Sequence, residues 1–346
     1  MENNRNQIGV LIGRFQPFHN GHALLLRQAL ETAQRVIVVL GSSFHARSPK
    51  NPFTWQERAA MISATLSEGD RERVSYVAVR DYYDDRRWAN AVQKAVTAGT
   101  TSSDQIILVG YFKDSSSYYL NLFPRWELRT VDNPPDVDAT RIRQVLFEAE
   151  DVDVSLGAVA DWLPVPVRQH LKAWTILGYY PDLVEEHRKI CKYRDVWKAA
   201  PYPPVFVTAD ALVRTGSQVL LVQRNGFPGK GQWALPGGFL DQHERLLDAA
   251  VRELQEETSI GLLSSTLTDA LVAVKVFDHP RRSLRGRTIT HAHFFDLKMD
   301  NLPEVQAADD AARVKWVQID QLMAMEDQFF EDHFHILDEF LHLTED

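Results

Sequence analysis

The stretch GRFQPFHNGH, residues 13–22, decides the fold of the first half of the chain. It follows an apolar run at residues 8–12 (IGVLI), which is typical of a buried strand, and it precedes a helical pattern at residues 23–34. Amide N–H groups at the start of a helix lack partners within the helix and carry partial positive charge, so phosphate binds there readily. The sequence therefore predicts a phosphate site in this strand-to-helix turn, with His19 and His22 as hydrogen-bond donors.

The same alternation of strands and helices continues to about residue 150. Further strands are predicted at residues 36–40, 74–79, 106–109 and 128–131, and helices at residues 55–66, 88–98 and 140–148. Short apolar strands separated by helices indicate parallel pairing through crossover helices. We therefore expect a doubly wound, Rossmann-like α/β domain, which binds its ligand at the carboxyl ends of the strands.

A second pattern, RELQEETSI at residues 252–260, lies at the end of a helix predicted over residues 244–258. Glu253, Glu256 and Glu257 are spaced i, i+3 and i+4, so they share one side of that helix. Three carboxylates this close repel one another, and divalent cations such as Mg²⁺ or Mn²⁺ relieve the repulsion. The pattern predicts a metal site that polarises a diphosphate and activates water.

The elements around this helix indicate a second domain of different architecture. Strands are predicted at residues 205–214, 219–223, 271–277, 288–297 and 314–319, and a closing helix at residues 328–343, which together indicate an α/β/α domain with a mixed sheet. A helical pattern rich in aromatic residues covers residues 164–200 and ends at the prolines within residues 201–204. We expect domains at residues 1–185 and 205–346, joined by a linker at residues 186–204.

Composition and charge narrow the class of protein. The chain has 346 residues, of which 45% are hydrophobic and 25% charged, so each half can bury a core. The net charge of −9 argues against a nucleic-acid partner, which usually requires a basic surface. A single cysteine, Cys191, allows no internal disulfide and favours a reducing compartment. With no signal peptide or membrane-spanning pattern, we expect a cytoplasmic enzyme without a membrane partner, and assembly into a homo-oligomer stays open.

The first half resembles the H-x-G-H nucleotidyltransferases, in particular the archaeal-type nicotinamide mononucleotide (NMN) adenylyltransferases. The resemblance rests on GRFQPFHNGH, on Gly41-Ser42-Ser43, on KNPFT at residues 50–54 with Glu57-Arg58, and on TRIR at residues 140–143. It implies direct attack of the NMN phosphate on the α-phosphate of ATP, with Mg²⁺ bridging the phosphates. By this resemblance the catalytic residues are His19 and His22, and contacts to ATP and NMN come from Gly13, Arg14, Phe15, Gly21, Arg47, Trp88, Thr140, Arg141 and Arg143.

The second half resembles the Nudix hydrolases, whose box is matched by Gly238, five residues, Glu244, seven residues and then RELQEETSI. One position departs from the box, because Ser259 stands where the family usually has glycine. We expect this to have a small effect on helix termination. The resemblance implies that the metal is held by Gly238 and the glutamates Glu253, Glu256 and Glu257, and we expect Arg252 to orient one glutamate through a bidentate pair.

The segment at residues 277–292 resembles Nudix domains tied to NAD metabolism, which favour ADP-ribose. Candidates for contacts to the substrate phosphates are Arg224, Arg282 and Arg287. The two resemblances together predict a bifunctional enzyme that makes NAD from ATP and NMN and hydrolyses ADP-ribose to AMP and ribose 5-phosphate.

Alternatives stay open for both halves. The second domain could be a non-hydrolysing ADP-ribose sensor, which the complete set of box glutamates disfavours, or it could hydrolyse a different nucleoside diphosphate derivative. The first domain could adenylylate FMN or phosphopantetheine instead of NMN, which the residues from Gly41 to Arg58 disfavour. The choice between NMN and nicotinic acid mononucleotide is undecided.

Overall fold

The computed structural model describes residues 6–112, 115–131 and 137–344. The chain divides into two compact units, Met1–Val184 and Glu185–Asp346. The division falls inside a helix that runs from Tyr180 to Trp197, so most of the stretch predicted as a linker is helical.

The N-terminal unit is built on a parallel sheet. Its strands are β1 (Gln7–Gly13), β2 (Arg35–Leu40), β3 (Val74–Ala78), β4 (Gln105–Gly110) and β5 (Glu127–Thr130), and its helices are α1 (Asn20–Thr32), α2 (Trp55–Ser63), α3 (Glu68–Arg73), α4 (Asp85–Thr97), α5 (Ala139–Phe147), α6 (Val152–Ala158) and α7 (Val165–Trp174). The order β3-β2-β1-β4-β5, with every pair parallel, confirms the predicted doubly wound fold. The strand order reverses between β1 and β4, where open sheets of this kind bind ligands.

Both faces of the central strand β1 are buried. Side chains alternate between the faces of a strand, so consecutive apolar residues supply two cores. Leu11 lies in the same core as Leu26 of α1, whereas Val10 and Ile12 lie in the core that contains Val92 of α4. The continuous apolar run therefore holds the first strand-to-helix turn between two packed layers.

The C-terminal unit is built on a mixed sheet. After α8 (Tyr180–Trp197) come β6 (Val205–Thr215), β7 (Gln218–Arg224), β8 (Trp233–Ala234), β9 (Gly237–Phe239), α9 (Leu246–Thr258), α10 (Ser264–Asp269), β10 (Leu271–Phe277), β11 (Arg287–Asp296), β12 (Ala311–Gln318) and α11 (His333–Leu341). The main order is β10-β11-β6-β7-β12, with β11 parallel to β6 and the other pairs antiparallel, which confirms the predicted mixed sheet. The short strands β8 and β9 pair with β7 and β6.

The closing helix is shorter than predicted. It begins at His333, because residues Ile319–Gln328 form a 3-10 helix and do not continue into it. Among the described residues, no helix combines the length and the apolar character needed to cross a membrane.

Two candidate active sites

Buried contacts fix the backbone of the loop after β1. Phe15 adopts a left-handed conformation with φ 51°, and its ring is buried. A Cβ atom on Gly13 would lie 2.8 Å from Cζ of Phe15, so glycine is required beside this ring. The side-chain amide of Gln16 donates to the carbonyl of Phe53 (2.9 Å) and accepts the N–H of the same residue (3.0 Å). The loop that carries GRFQPFHNGH is thereby joined to the KNPFT segment.

The two histidines stack at the N-terminus of α1, with ring centroids 3.6 Å apart. The backbone N–H of His19 donates to Nδ1 of His22 over 3.3 Å. A neutral imidazole that accepts at Nδ1 carries its proton on Nε2, so His22 presents an Nε2–H donor. The edge-on ring of Phe15, 4.8 Å away, helps to fix the plane of the His22 ring. The pair has the donor chemistry that a phosphate at a helix N-terminus requires.

Two buried arginines connect this loop with its neighbours. Arg58 donates to the carbonyls of Arg14 (2.6 Å) and Gly41 (2.7 Å), and Arg143 donates to the carbonyl of Gln16 (2.6 Å). Burial, together with the nearby charge of Arg14, lowers the pKa of both Arg58 and Arg143 to about 10. Three guanidinium groups thus concentrate positive charge at the carboxyl end of β1, which is the sign that a triphosphate needs.

Arg47 is held by other protein groups. Its guanidinium makes a bidentate ion pair with Glu57 (2.7 and 2.9 Å) and lies 3.9 Å from the ring centroid of Tyr179. The hydroxyl of Tyr179 donates to the same carboxylate over 2.9 Å. These contacts fix the Arg47 side chain within the protein. Its predicted role in binding ATP or NMN stays a prediction.

The remaining predicted contacts of this site are spread over two helices. Trp88 is half-buried at the start of α4 and packs edge-on against Tyr119, with ring centroids 5.9 Å apart. At the start of α5, the N–H of Thr140 donates to Asp138, and the exposed Arg141 stacks over Trp162 at 5.2 Å. Both helices begin at the carboxyl edge of the sheet, where the histidines lie.

Asp81 is a charged residue of this edge that the sequence did not reveal. It follows β3 and accepts the hydroxyl of Ser42 (2.6 Å), and Nε2 of His45 lies 3.4 Å from its carboxylate. Burial raises the pKa of Asp81, but the bonds from His45 and Ser42 outweigh it and hold the pKa well below its usual range. No motif surrounds Asp81, so only the fold connects it to the Gly41-Ser42-Ser43 turn.

In the C-terminal unit, Glu257 is the most buried carboxylate of the predicted metal site, at 6% exposure. The backbone N–H of Gly237 donates to it over 3.1 Å. Burial raises the pKa of Glu257 to about 8; the bond from Gly237 opposes this rise and the charge of Glu253 adds to it. Burial also raises the pKa of Glu253. Two neighbouring carboxylates are therefore both disfavoured as anions.

Strand β9 approaches these carboxylates closely because it carries two glycines. A Cβ atom on Gly238 would overlap the carboxylate of Glu253, and one on Gly237 would overlap the side chain of Asp210. Thr290 donates its hydroxyl to Asp210 over 2.5 Å, which fixes this second carboxylate under the strand. The predicted Gly238 thus lies directly beside α9, which we call the acidic helix because it carries Glu253, Glu256 and Glu257.

Arg252 organises more than the one glutamate expected. Its guanidinium makes a bidentate pair with Glu244 (2.7 and 3.0 Å) and also donates to Glu253 (2.9 Å) and Glu256 (2.8 Å). Hydrogen bonds to Glu244 are the main reason that the pKa of Arg252 is raised. The guanidinium group of Arg252 therefore sets the rotamers of two of the three predicted metal-binding glutamates.

Two arginines lie close to each other in this unit, Arg224 near Glu257 and Arg285 paired with Glu331 over 3.7 Å. The guanidinium carbon of Arg224 lies 4.3 Å from the ring centroid of Phe330, and that of Arg285 lies 5.8 Å from the same ring and 5.0 Å from the ring of Phe239. Burial lowers the pKa of Arg224, the charge of Arg285 lowers it further, and Glu257 opposes the shift. Arg285 was missed in the sequence, where it is one of four arginines within residues 281–287.

The other two predicted phosphate contacts have protein partners. Arg282 forms a buried bidentate ion pair with Asp332 (2.8 and 2.7 Å). Arg287 donates to the backbone carbonyl of Asp278. Since these guanidinium groups fix the loop between β10 and β11, their predicted contacts to ADP-ribose stay predictions.

Comparison with known proteins assigns each unit to a family. The cytidylyltransferase-like family matches residues 10–110, and the NUDIX domain matches residues 205–340. The nicotinamide/nicotinic acid mononucleotide adenylyltransferase of Acinetobacter baylyi is 36% identical over 180 residues, which cover 52% of this chain and 92% of the relative. The ADP-ribose pyrophosphatase of Methanocaldococcus jannaschii is 33% identical over 135 residues, which cover 39% of this chain and 75% of the relative.

Solved structures of one bacterial protein match both units. The crystal structure of a bifunctional NMN adenylyltransferase/ADP ribose pyrophosphatase from Francisella tularensis, complexed with AMP and a manganese ion, is 37% identical to this chain. The match covers 97% of this chain and 99% of that one, with a TM-score of 0.90. With two units, two phosphate-directed sites and a full-length match, the chain belongs to the family of bifunctional NMN adenylyltransferase/ADP-ribose pyrophosphatases.

Proposed function

We propose that the N-terminal unit transfers AMP from ATP to NMN, giving NAD and pyrophosphate, and that the C-terminal unit hydrolyses ADP-ribose to AMP and ribose 5-phosphate. The observation that carries this proposal is the coincidence of the two site geometries with the full-length match to the Francisella protein, whose name states both activities. The chain would then both synthesise NAD and hydrolyse ADP-ribose, a breakdown product of NAD.

In the N-terminal unit, positioning and charge neutralisation suffice for the transfer. An oxygen of the NMN phosphate attacks the α-phosphorus of ATP, the bond to the β-phosphate breaks, and pyrophosphate leaves with that electron pair. His22 donates from Nε2 to a phosphate oxygen beside the N-terminus of α1, and His19 supports it by stacking. Arg14 and Arg141 neutralise the triphosphate, while Arg143 holds the loop through the carbonyl of Gln16.

In the C-terminal unit, the residues fit a hard divalent cation, for which we propose Mg²⁺, with Mn²⁺ as the alternative. Two carboxylates with raised pKa values lie beside each other, and oxygen donors are what such ions prefer. Glu253, Glu256, Glu257 and the carbonyl of Gly238 would hold the cation. When bound, it supplies Lewis acidity to a phosphate oxygen and lowers the pKa of water.

The other side chains of this unit prepare the site. Arg252 keeps Glu253 and Glu256 in place through its hydrogen bonds. Arg224 and Arg285 would bind the diphosphate of ADP-ribose, since Arg224 lies near Glu257 and Arg285 lies near Arg224, and a planar guanidinium suits phosphate oxygens.

Two substrate panels with the full chain test this proposal. At fixed ATP, the acceptors NMN, nicotinic acid mononucleotide, FMN and phosphopantetheine are compared, and the proposal requires efficient adenylylation of NMN. Transfer to FMN with none to NMN would contradict it. AMP release is compared for ADP-ribose, NADH, NAD and diadenosine polyphosphates with Mg²⁺ and with Mn²⁺, and ADP-ribose should be preferred. Binding of ADP-ribose without turnover under either ion would identify a sensor instead.

A further inference from the structure

The C-terminal part of α8 precedes the residues that the NUDIX domain matches, yet it packs against that domain's sheet. Spacings of four, three and four residues place on one side of this helix the side chains of Glu186, Ile190, Tyr193 and Trp197. The two aromatic rings pack edge-on against Phe206 of β6, with centroids 5.7 and 5.2 Å away. This side of the helix therefore combines the buried Glu186 and Ile190 with two aromatic rings, of which that of Trp197 stays 41% exposed.

Glu186 fixes the loop between β7 and β8. Its Oε2 accepts the backbone N–H of Gly229 over 3.3 Å, and the residue is only 6% exposed. Gly229 has a φ of +77°, and a Cβ atom there would overlap the ring of Phe330. The carbonyl of Pro228, one residue earlier, accepts from Nε of Arg224 over 2.9 Å. The contact from α8 thus sets the loop that orients Arg224.

Arg194 fixes the second arginine-bearing loop. Its Nε donates to the carbonyl of Leu284 over 2.7 Å, and Leu284 directly precedes Arg285. The next residue, Gly286, lies so close to Phe206 that a Cβ atom would be 3.0 Å from the ring. The backbone on both sides of Arg285 is therefore held by the helix and by the ring on which the helix packs.

We propose that this part of α8 contributes to substrate binding in the hydrolase site. Glu186 is a positioning residue for Arg224, and Arg194 is a positioning residue for Arg285. The inference rests on the proposed hydrolysis of ADP-ribose. The two guanidinium groups repel each other and share the ring of Phe330, and Glu331, 3.7 Å from Arg285, offsets part of this repulsion. The contacts from α8 fix the backbone from which the two side chains project. Neither contact from α8 involves the glutamates, so the helix acts on substrate binding and not on the metal-assisted step.

The test is the KM of the full chain for ADP-ribose. Glu186→Ala leaves a buried N–H without its acceptor, and we expect KM to rise about tenfold with kcat within about twofold of the parent. Glu186→Gln keeps an acceptor oxygen and should restore KM to within about twofold of the parent. Arg194→Ala, whose contact is exposed, should raise KM about threefold. Arg188→Ala is the matched control, because Arg188 is exposed on the same helix and pairs with Glu185, three residues earlier.

Two further readouts make the outcome decisive. NAD synthesis and the melting temperature of the same preparations report whether the chain is folded, and both should be unchanged in Arg194→Ala. The inference about α8 would be overturned by an unchanged KM in Arg194→Ala and Glu186→Ala, or by an equal rise in KM in Glu186→Ala and Glu186→Gln. Neither result would contradict the proposed hydrolysis of ADP-ribose. If Glu186→Ala does not fold, the Arg194→Ala result decides. Calorimetric binding of ADP-ribose in a Glu257→Gln background repeats the comparison without turnover, and a parent chain that neither binds nor hydrolyses ADP-ribose would overturn the proposed function as well.

Discussion

The two sites are built around clusters of opposite charge, arginines at the carboxyl end of β1 and glutamates on α9. At the carboxyl end of β1, clustered arginines have pKa values lowered to about 10. On α9, clustered carboxylates have raised pKa values, with that of Glu257 at about 8. Each cluster resists its own charge because burial and like-charged neighbours disfavour it. We propose that the arginines bind the phosphates of ATP, and that the carboxylates would hold a divalent cation while Arg224 and Arg285 bind the diphosphate.

The difference matches the two reactions. Adenylyl transfer starts from a triphosphate whose negative charge the protein can neutralise directly with arginine and helix N–H groups. Hydrolysis also needs an activated water, which arginine cannot supply and a bound divalent cation can. The acidic helix is therefore the feature that distinguishes the hydrolase site.

The largest expected effect follows from removing the most buried carboxylate of α9. Glu257→Gln should lower kcat for ADP-ribose hydrolysis about 10³-fold, because a cation ligand and its charge are lost. NAD synthesis by the same chain should stay within about twofold of the parent. Glu339→Gln serves as a control, since Glu339 is a half-exposed partner of Lys275. Full hydrolysis by Glu257→Gln would break the assignment of the acidic helix.

The next effect concerns the cationic site. His22→Ala removes the Nε2–H donor at the start of α1 and should lower kcat for NAD synthesis about 10²-fold. Hydrolysis of ADP-ribose in the same preparation should be unchanged. The exposed His243 provides the control, and His243→Ala should leave NAD synthesis intact. Unchanged NAD synthesis in His22→Ala would mean that another residue donates the hydrogen bond to the phosphate.

A third prediction uses the pH dependence of stability in metal-free buffer. Because the pKa of Glu257 is raised to about 8 in the folded chain, folding favours its protonated form. This stabilising contribution is complete below the ordinary pKa of 4.5 and is lost as the pH rises through 8. Glu257→Gln removes the loss, so its stability relative to the parent should increase by more than about 1 kcal/mol between pH 5 and pH 9. Denaturant unfolding at both pH values measures the change. A stability difference that does not depend on pH would show that the pKa of Glu257 is not raised in the folded chain.

The smallest effect concerns the end of α9. Ser259 has a φ of 46°, a left-handed conformation that costs a serine more than a glycine. Ser259→Gly should therefore stabilise the C-terminal unit by about 0.5–1 kcal/mol, or raise its melting temperature by about 2 °C, without changing ADP-ribose hydrolysis. Calorimetric melting of the full chain tests this. Destabilisation by glycine would mean that the serine side chain contributes a contact of its own.

Features that depend on local spacing were predictable from the sequence. The position of His19 and His22 at a helix start follows from the strand and helix rhythm, and the shared side of Glu253 and Glu257 follows from helix geometry. Even the departure at Ser259 lies at the helix end, where it was expected.

Features that depend on distant partners were not predictable. Arg143 reaches the carbonyl of Gln16, 127 residues away, and Arg282 pairs with Asp332, 50 residues away. An arginine in a sequence gives no sign of whether its guanidinium will meet a carbonyl, a carboxylate or a ligand. Arg285 had no distinguishing motif for the same reason.

The helix α8 shows how tertiary packing overrides a composition signal. The sequence predicted a helical pattern over residues 164–200, but because prolines follow it, residues 186–204 were assigned to a linker. The structure instead docks Tyr193 and Trp197 on Phe206, a contact that becomes visible only once β6 is in place.

Calorimetric titration of Mn²⁺ into the metal-free full chain, without nucleotide, tests most directly whether the two sites carry opposite charge. We expect the Mn²⁺ binding at α9 to be lost in Glu257→Gln and retained in His22→Ala, because Glu257 belongs to the proposed metal site and His22 does not. Undiminished binding in Glu257→Gln, or loss of binding in His22→Ala, would contradict the assignment of the metal site to α9.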